Sequence, residues 1–505
     1  MIKPAHRWGN KPGDPSRWCA PCSRKTAGDR NRVYVFPVRF IAVCERGHLS
    51  DFPWDRWVGH RDSCDKNKRE LKLSSEGRAG LAGLLLRCTA CSASRSMDDA
   101  FRADALRTHC KGERPWLAKD DESCDKMLRG SQRGASNLYF PLLVSALDIP
   151  PWSHPIQKAL APRWEQISAA PPEERTIIIR GVLREKRFAR LLEHYSEQEI
   201  LDQISEAIRA SSADTGFDLR HAEYVQFTRG GVEGGAGSRE FEIRCEEVPD
   251  RITPWVDRIV RATRLREVRS IRGFTRIHPP SGADPAQIEN LQPLSVRMKD
   301  WLPAIEVRGE GIFIELSGKR LSAWERSERV RERIRKLHET YQVDWARRHP
   351  GVEPPRIITP RLVLVHSLAH AIMRELALSC GYSSASLRER LYVSGDKEPP
   401  MAGILVYTAS ADSDGTLGGL TRQGERDRFH DILLNALESQ QWCSSDPLCV
   451  TSVQSHSESL NLAACHACLM LPETSCEEFN RILDRGALVG IPDSPEIGYF
   501  HGLLH

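Results

Sequence analysis

The sequence predicts an α+β, multidomain fold. Its parts are a zinc-stabilised, loop-rich N-terminal module, a mixed helical and strand middle, and an α/β C-terminal domain with a cysteine zinc site. Three observations carry this expectation. Cysteines cluster in both halves, with Cys88-x2-Cys91 in one and Cys465-x2-Cys468 in the other. Thiolates at that spacing turn onto one tetrahedral ion, and Zn²⁺ is the usual occupant of four such ligands. Apolar residues recur at helical spacing at Val330, Ile334, Leu337 and Tyr341, while GEGIFIEL at 309–316 reads as a strand.

Composition narrows the class. The 505 residues suggest two to four domains, and 40% hydrophobic with 28% charged residues is the balance of an ordinary soluble globular protein. No uninterrupted apolar run approaches the roughly 18 residues of a membrane span, so no membrane partner is expected. No secretory leader is read at the start, and a chain this long needs no disulfide stapling; the expected setting is the cytoplasm. The net charge of +4 is small but unevenly spread. Arg258, Arg261, Arg264, Arg266, Arg269, Arg272 and Arg276 share a stretch with a single acid, Glu267. Arg258, Arg261, Arg269 and Arg272 are the candidate phosphate contacts, since arginine forks onto phosphate oxygens. On an ideal helix Arg261, Arg269 and Arg272 would project within one broad face; the alternative is a solvated or ion-paired surface.

In chain order, residues 1–32 read as an irregular Pro/Gly/Arg/Lys arm around Cys19-x2-Cys22, and a strand follows at Val33–Val43. From Cys44 to Cys124 the chain is dense in Cys, His and Trp with little periodicity, as metal-pinned loops are. The prolines of SALDIPPW (145–152) and Pro350, Pro354 and Pro355 mark boundaries. They divide the chain into modules at 1–150, 151–355 and 356–505. Residues 153–225 read as helical, 228–238 as a glycine-rich loop, 240–316 as a mix of short strands and turns, and Ser322–Arg348 as one long helix. Beyond the second boundary come a helix at Leu362–Cys380, a strand at Ala402–Tyr407, a helix near Phe429–Gln440 and the cysteine cluster.

The metal candidates follow from spacing. Cys44-x3-His48 is mirrored by His60-x3-Cys64, and two Cys with two His could close one tetrahedron. Cys88, Cys91, Cys110 and Cys124 resemble a zinc ribbon with uneven loops. At the other end Cys443, Cys449, Cys465, Cys468 and Cys476 offer five thiols for four positions. At least two zinc ions are expected. Trp54, Trp57 and Trp116 sit among the N-terminal loops, where they either cover the metal sites or stack on bases.

Catalytic candidates are weaker. His366 and His370 share one face of an apolar helix, but Ser367 stands where a zinc hydrolase would carry glutamate. Asp412 and Asp414 lie in a glycine-rich turn that could take a divalent ion. Together these four residues are the basis of an alternative reading as a metal-dependent nuclease or phosphodiesterase. The chain has no P-loop and no dinucleotide fingerprint, so no catalytic residue is assigned in the preferred reading.

Longer strings carry a resemblance. HSLAH (366–370), SLRERLY (386–392), GILVY (403–407), DSDGTLGGL (412–420), AACHACLMLPETSCE (463–477) and Asn480-x3-Asp484-Arg485 resemble the zinc-binding domain behind the motor of MrfA-type and Druantia-type helicases. CERGHLSDFPWDRWVGH (44–60), QRGASNLYFP (132–141) and LPAIEVRGEGIFIEL (302–316) look like the DrmB family of DISARM phage-defence components. The resemblance spans roughly residues 33–490. It implies a stand-alone, non-catalytic accessory subunit that forms a heterodimer with the DISARM helicase DrmA and helps bind single-stranded or overhang DNA. It places the family's tetracysteine zinc site on Cys449, Cys465, Cys468 and Cys476, with Cys443 a fifth candidate.

Overall fold

The structure is a computed structural model describing residues 1–24, 32–77, 79–118, 121–149, 154–211, 219–229, 241–280, 290–348, 351–394, 400–408, 419–451 and 460–504. Most of the glycine-rich loop expected at 228–238, and the turn holding Asp412 and Asp414, lie outside these residues. The chain forms two compact units: residues 1–144 with 271–303, and residues 145–270 with 304–505. The three consecutive modules expected from the prolines are thus not the division seen. A sheet joins strands from the middle and the C-terminal thirds, so the boundary near 355 falls inside one unit.

The first unit is a set of small sheets. Strands β1 (Phe40–Val43) and β2 (Leu49–Asp51) form a hairpin, and β6 (Arg129–Gln132) pairs on the other side of β1. Strands β3 (Leu71–Ser75), β4 (Leu84–Cys88) and β5 (Ser94–Ser96) form a second antiparallel sheet. A third joins Gly9–Lys11, Asp14–Trp18 and Tyr34–Val35, so the expected strand at Val33–Val43 is two short ones. Between the first two sheets a single-turn helix α1 (Trp54–Val58) buries Trp57. The core is thin and mixes Phe40, Phe52, Trp57 and Leu86 with Cys44, Cys64, Cys88 and Cys110. A core in which thiols replace aliphatic bulk is what a metal-organised module shows.

The second unit is larger and conventional. Strands β7 (Glu242–Glu246), β8 (Val256–Thr275), β9 (Ala304–Leu316), β10 (Leu387–Ser394) and β11 (Met401–Thr408) belong to a six-stranded sheet in which β8, β9, β11 and β10 are antiparallel neighbours in that order and β7 pairs with β8. Both faces are covered. Helix α2 (Leu219–Thr228) packs Tyr224 and Phe227 on one face, against Phe313, Tyr392 and Leu405. Helices α3 (Glu328–Arg348), α4 (Pro360–Cys380) and α5 (Arg426–Glu438) build the main core on the other. The expected helix at 322–348 is two, Gly318–Glu325 and α3. Helix α4 starts where Thr359 caps the Leu362 amide and ends at Gly381, whose φ of 74° suits a helix C-terminus. It is long and apolar enough to cross a membrane, but 72% of its most apolar window is buried inside the protein, as in the central helix of a core. A separate helical layer, from Pro155–Leu160 to Glu197–Ser211, closes on Ile156, Ile179, Phe188, Ile200 and Ile204.

Candidate metal centres

Among the described residues, four groups of side chains bring ligand atoms within 4.8 Å of one another. Two lie in the first unit, and their membership crosses the expected assignment. Cys44 and His48 join Cys110 and Cys124, not His60 and Cys64; those two join Cys88 and Cys91. The reason is local. Cys44 and His48 occupy the turn between β1 and β2, whereas His60 and Cys64 follow α1 and face the end of β4. Sequence neighbours are therefore separated by a change of direction at α1.

The first centre is shaped by two glycines. Gly47, with φ of 84°, returns the turn so that its amide bonds Cys44 O at 2.9 Å. Gly112, with φ of 75°, leaves the Glu122 carbonyl the space a Cβ would fill, 1.5 Å away. Cys44 Sγ lies 3.3 Å from His48 Nδ1 and 4.0 Å from Cys124 Sγ. In the second centre Cys64 Sγ lies 3.5 Å from His60 Nδ1 and 4.0 Å from Cys88 Sγ, and Cys91 Sγ lies 3.6 Å from His60 Nδ1. Zinc bonds of about 2.0 Å to nitrogen and 2.3 Å to sulfur imply donor separations of roughly 3.3–3.8 Å, so both groups fit. In each, the histidine turns Nδ1 inward and holds a carboxylate with Nε2: Glu122 at 2.7 Å for His48, Asp55 at 3.2 Å for His60. An outer carboxylate of this kind fixes the tautomer and raises ligand basicity.

The third centre groups Cys443, Cys449, Cys465 and Cys468. The expected set had Cys476 in place of Cys443. Sulfur separations are 3.5 Å for Cys443–Cys465, 3.8 Å for Cys449–Cys468 and 3.7 Å for Cys465–Cys468. The Cys465 amide points at Cys468 Sγ, 3.2 Å away. Asp446 accepts the Cys443 amide and pairs with Arg485 at 2.5 Å, and Arg374 reaches from α4 to the carbonyls of Ala467 and Met470. Burial and the nearby Cys465 push the Cys449 thiol up to about 12. Burial acts the same way on Cys465, but hydrogen bonds from Cys443 and from the Ala467 and Cys468 amides prevail and bring it down to about 7. The Arg61 and Ala93 amides, with His60, bring Cys91 down to about 6 in the second centre.

Cys476 belongs instead with His366, His370 and Glu389, and all four are buried. Glu389 was no sequence candidate: a lone acid in a strand carries no spacing signal. His366 and His370, the histidines of the nuclease alternative, face this cluster. Burial opposes the charge of Glu389, yet the two imidazoles hold its carboxyl below the usual carboxylate range. Cys19 and Cys22 lie beside one another, but neither belongs to any of the four groups.

The expected phosphate stripe takes another form. Residues 256–275 are one long strand, β8, in a region expected to hold short strands and turns, so the arginine face considered for an ideal helix does not form. Arg258 pairs with Glu315 at 3.1 Å, Arg261 with Glu246 at 2.6 Å, and Arg269 with Glu267 at 2.6 Å. Arg272 is exposed. The tryptophans are largely engaged: Trp57 is buried under Arg95, and Trp116 donates to the Pro293 carbonyl at 3.0 Å. Charge divides between the units. The first holds 31 Lys and Arg against 20 Asp and Glu, or +11; the second holds 41 against 48, or −7.

Comparison with known proteins gives three matches. Residues 1–140 match a family described as a domain of unknown function (DUF8724). Residues 368–469 match the MrfA Zn-binding domain. That stretch contains every thiol of the third centre but neither His366 nor Cys476. Over 501 residues the chain is 33% identical to the DISARM protein DrmB of Bacillus paralicheniformis, covering 96% of this chain and 85% of that one. Zinc is the cofactor these findings support.

Proposed function

Because this chain belongs to the DISARM protein DrmB family, we propose that it is a non-catalytic, cytoplasmic subunit of an anti-phage defence complex. In this reading it joins a DISARM helicase, DrmA, and helps hold single-stranded or overhang DNA. The observation that carries the proposal is the full-length similarity together with a zinc module otherwise described from MrfA. A chain with that module and no P-loop needs its motor in trans. One zinc is assigned to each of the three cysteine-rich centres, with donors that saturate the ion and leave no position for a reacting water. The nuclease reading draws no support from His366 and His370, whose rings are buried against Glu389 and Cys476, out of reach of a phosphate. Co-expression with the neighbouring helicase is expected to give one complex through size exclusion in moderate salt. Separate elution would remove the central claim.

DNA contact is assigned to the first unit. With three thiolates around each of two dications its net charge becomes about +9, still enough to draw a polyanion. The β8 arginines are poorer candidates because acids already hold them. Arg56, Arg61 and Lys66 are exposed around the second centre. Each phosphate contact they make should contribute about 0.7 to the log–log salt slope on a single strand and about 0.9 on duplex. Changing all three to alanine should lower affinity and slope together, with little dependence on base sequence. An unchanged slope in a normally folded variant would move the contact elsewhere.

A further inference from the structure

We infer that His366, His370, Glu389 and Cys476 form a fourth metal site, separate from the cysteine-rich centres, and that it takes one zinc ion in a closed structural role. The four side chains come from three places. His366 and His370 lie one turn apart on α4, Glu389 is on β10, and Cys476 follows the short 3-10 turn Glu473–Ser475. Their donor atoms converge. His366 Nε2 is 3.1 Å from His370 Nε2, 3.1 Å from Cys476 Sγ and 3.2 Å from Glu389 Oε1, and His370 Nε2 is 3.6 Å from Glu389 Oε2. These separations are close to the edges of a tetrahedron around zinc, as in the other three centres.

The protons do not account for the cluster. His370 donates from Nδ1 to the Leu469 carbonyl at 2.8 Å, which leaves its Nε2 lone pair pointing inward. The Cys476 sulfur receives the amides of Glu478 at 3.3 Å and Asn480 at 3.2 Å, the pattern of a thiolate. Glu389 Oε1 accepts the Glu477 amide at 2.9 Å, while Oε2 is buried without a hydrogen bond. Several electron pairs thus face one point with few protons among them, where no water reaches. A dication answers each of these. One thiolate and one carboxylate balance its charge, so the buried site is neutral and avoids the large cost of an isolated interior ion. Two nitrogens, one oxygen and one sulfur are donors that zinc accepts together. Every position is filled by protein and every ligand is buried, so the ion clamps α4 to β10 and to the 473–480 loop.

The test uses the full chain. A zinc-edge anomalous difference map of crystals of the wild-type protein should show a peak between these four side chains, in addition to peaks at the cysteine-rich centres. Peaks at those centres with none here would overturn the inference and leave a hydrogen-bonded cluster. Elemental analysis then reads the variants. Glu389→Gln and Cys476→Ser should each lose one zinc equivalent relative to wild type, while the zinc of the 443–468 centre is retained. Unchanged zinc in both folded variants would overturn the inference, as would iron or copper as the metal lost. The map needs no variant, so a substitution that prevents folding does not blunt the test.

Discussion

Serine at both Cys465 and Cys468 is expected to unfold the C-terminal part of the second unit, the largest single effect predicted for this chain. Each sulfur lies within 4 Å of two others in the third centre, so the change removes half the donor set at once. Structural zinc contributes on the order of 10–16 kcal/mol in finger peptides, against a total stability of about 5–15 kcal/mol for a domain. The loop cannot fall back on its own hydrogen bonds, because its alignment depends on the ion. That alignment lets Leu469 bury completely in the main core and lets Arg374 hold the carbonyls of Ala467 and Met470. Thermal melting and limited proteolysis are the measurements. The variant should lose its cooperative transition and be cut between about 440 and 480, and chelation of wild type should do the same. Cys245→Ser is the control, since Cys245 is exposed and outside every cluster. A doubly substituted protein that melts like wild type would show that the centre does not support the fold.

Legibility in the sequence followed the range of the interaction concerned. Helix α4 and strand β11 were read nearly to their ends, because both are continuous apolar runs whose burial gives an unmistakable pattern. The β8 stretch is one long strand where the sequence suggests short strands and turns, and the reason is physical. The strand shifts register between Val256 and Arg258 and again between Ala262 and Leu265. Such irregularities rephase the two-residue alternation, and because both faces of the sheet are covered, Ile259 and Val260 are both buried, on opposite faces. The zinc ligands were legible as types and not as sets. Spacing identifies a knuckle such as Cys465-x2-Cys468, but which distant thiol completes it depends on tertiary packing. Nothing in the sequence separates Cys443 from Cys476, and only the approach of α4 to β10 brings Cys476 to two histidines and Glu389.

Breaking the Glu223–Arg390 pair is the second large effect, and it tests the opposite face of the same strand. Neighbouring residues on a strand point to opposite faces, so β10 directs Glu389 toward α4 and Arg390 toward α2. Arg390 is fully buried and Glu223 is 1% exposed. The guanidinium forks onto the carboxylate with two contacts of 2.5 Å and also holds the Ser145 hydroxyl and carbonyl. The carboxylate accepts the Tyr392 hydroxyl and the Leu147 amide, each at 3.0 Å. Arg390→Met leaves a buried carboxylate with two donors and no cation; Glu223→Leu leaves a buried guanidinium. Each single change should cost about 3–5 kcal/mol, because the remaining charge is uncompensated, whereas the double change should cost less than the sum. Denaturant midpoints supply the numbers, and singles within about 0.5 kcal/mol of wild type would mean water reaches the pair. Zinc content separates a local effect from collapse. A folded Arg390→Met protein should keep its full complement of metal, since the ligands lie on the other face. Loss of an ion together with the pair would mean that the two faces of β10 do not act independently.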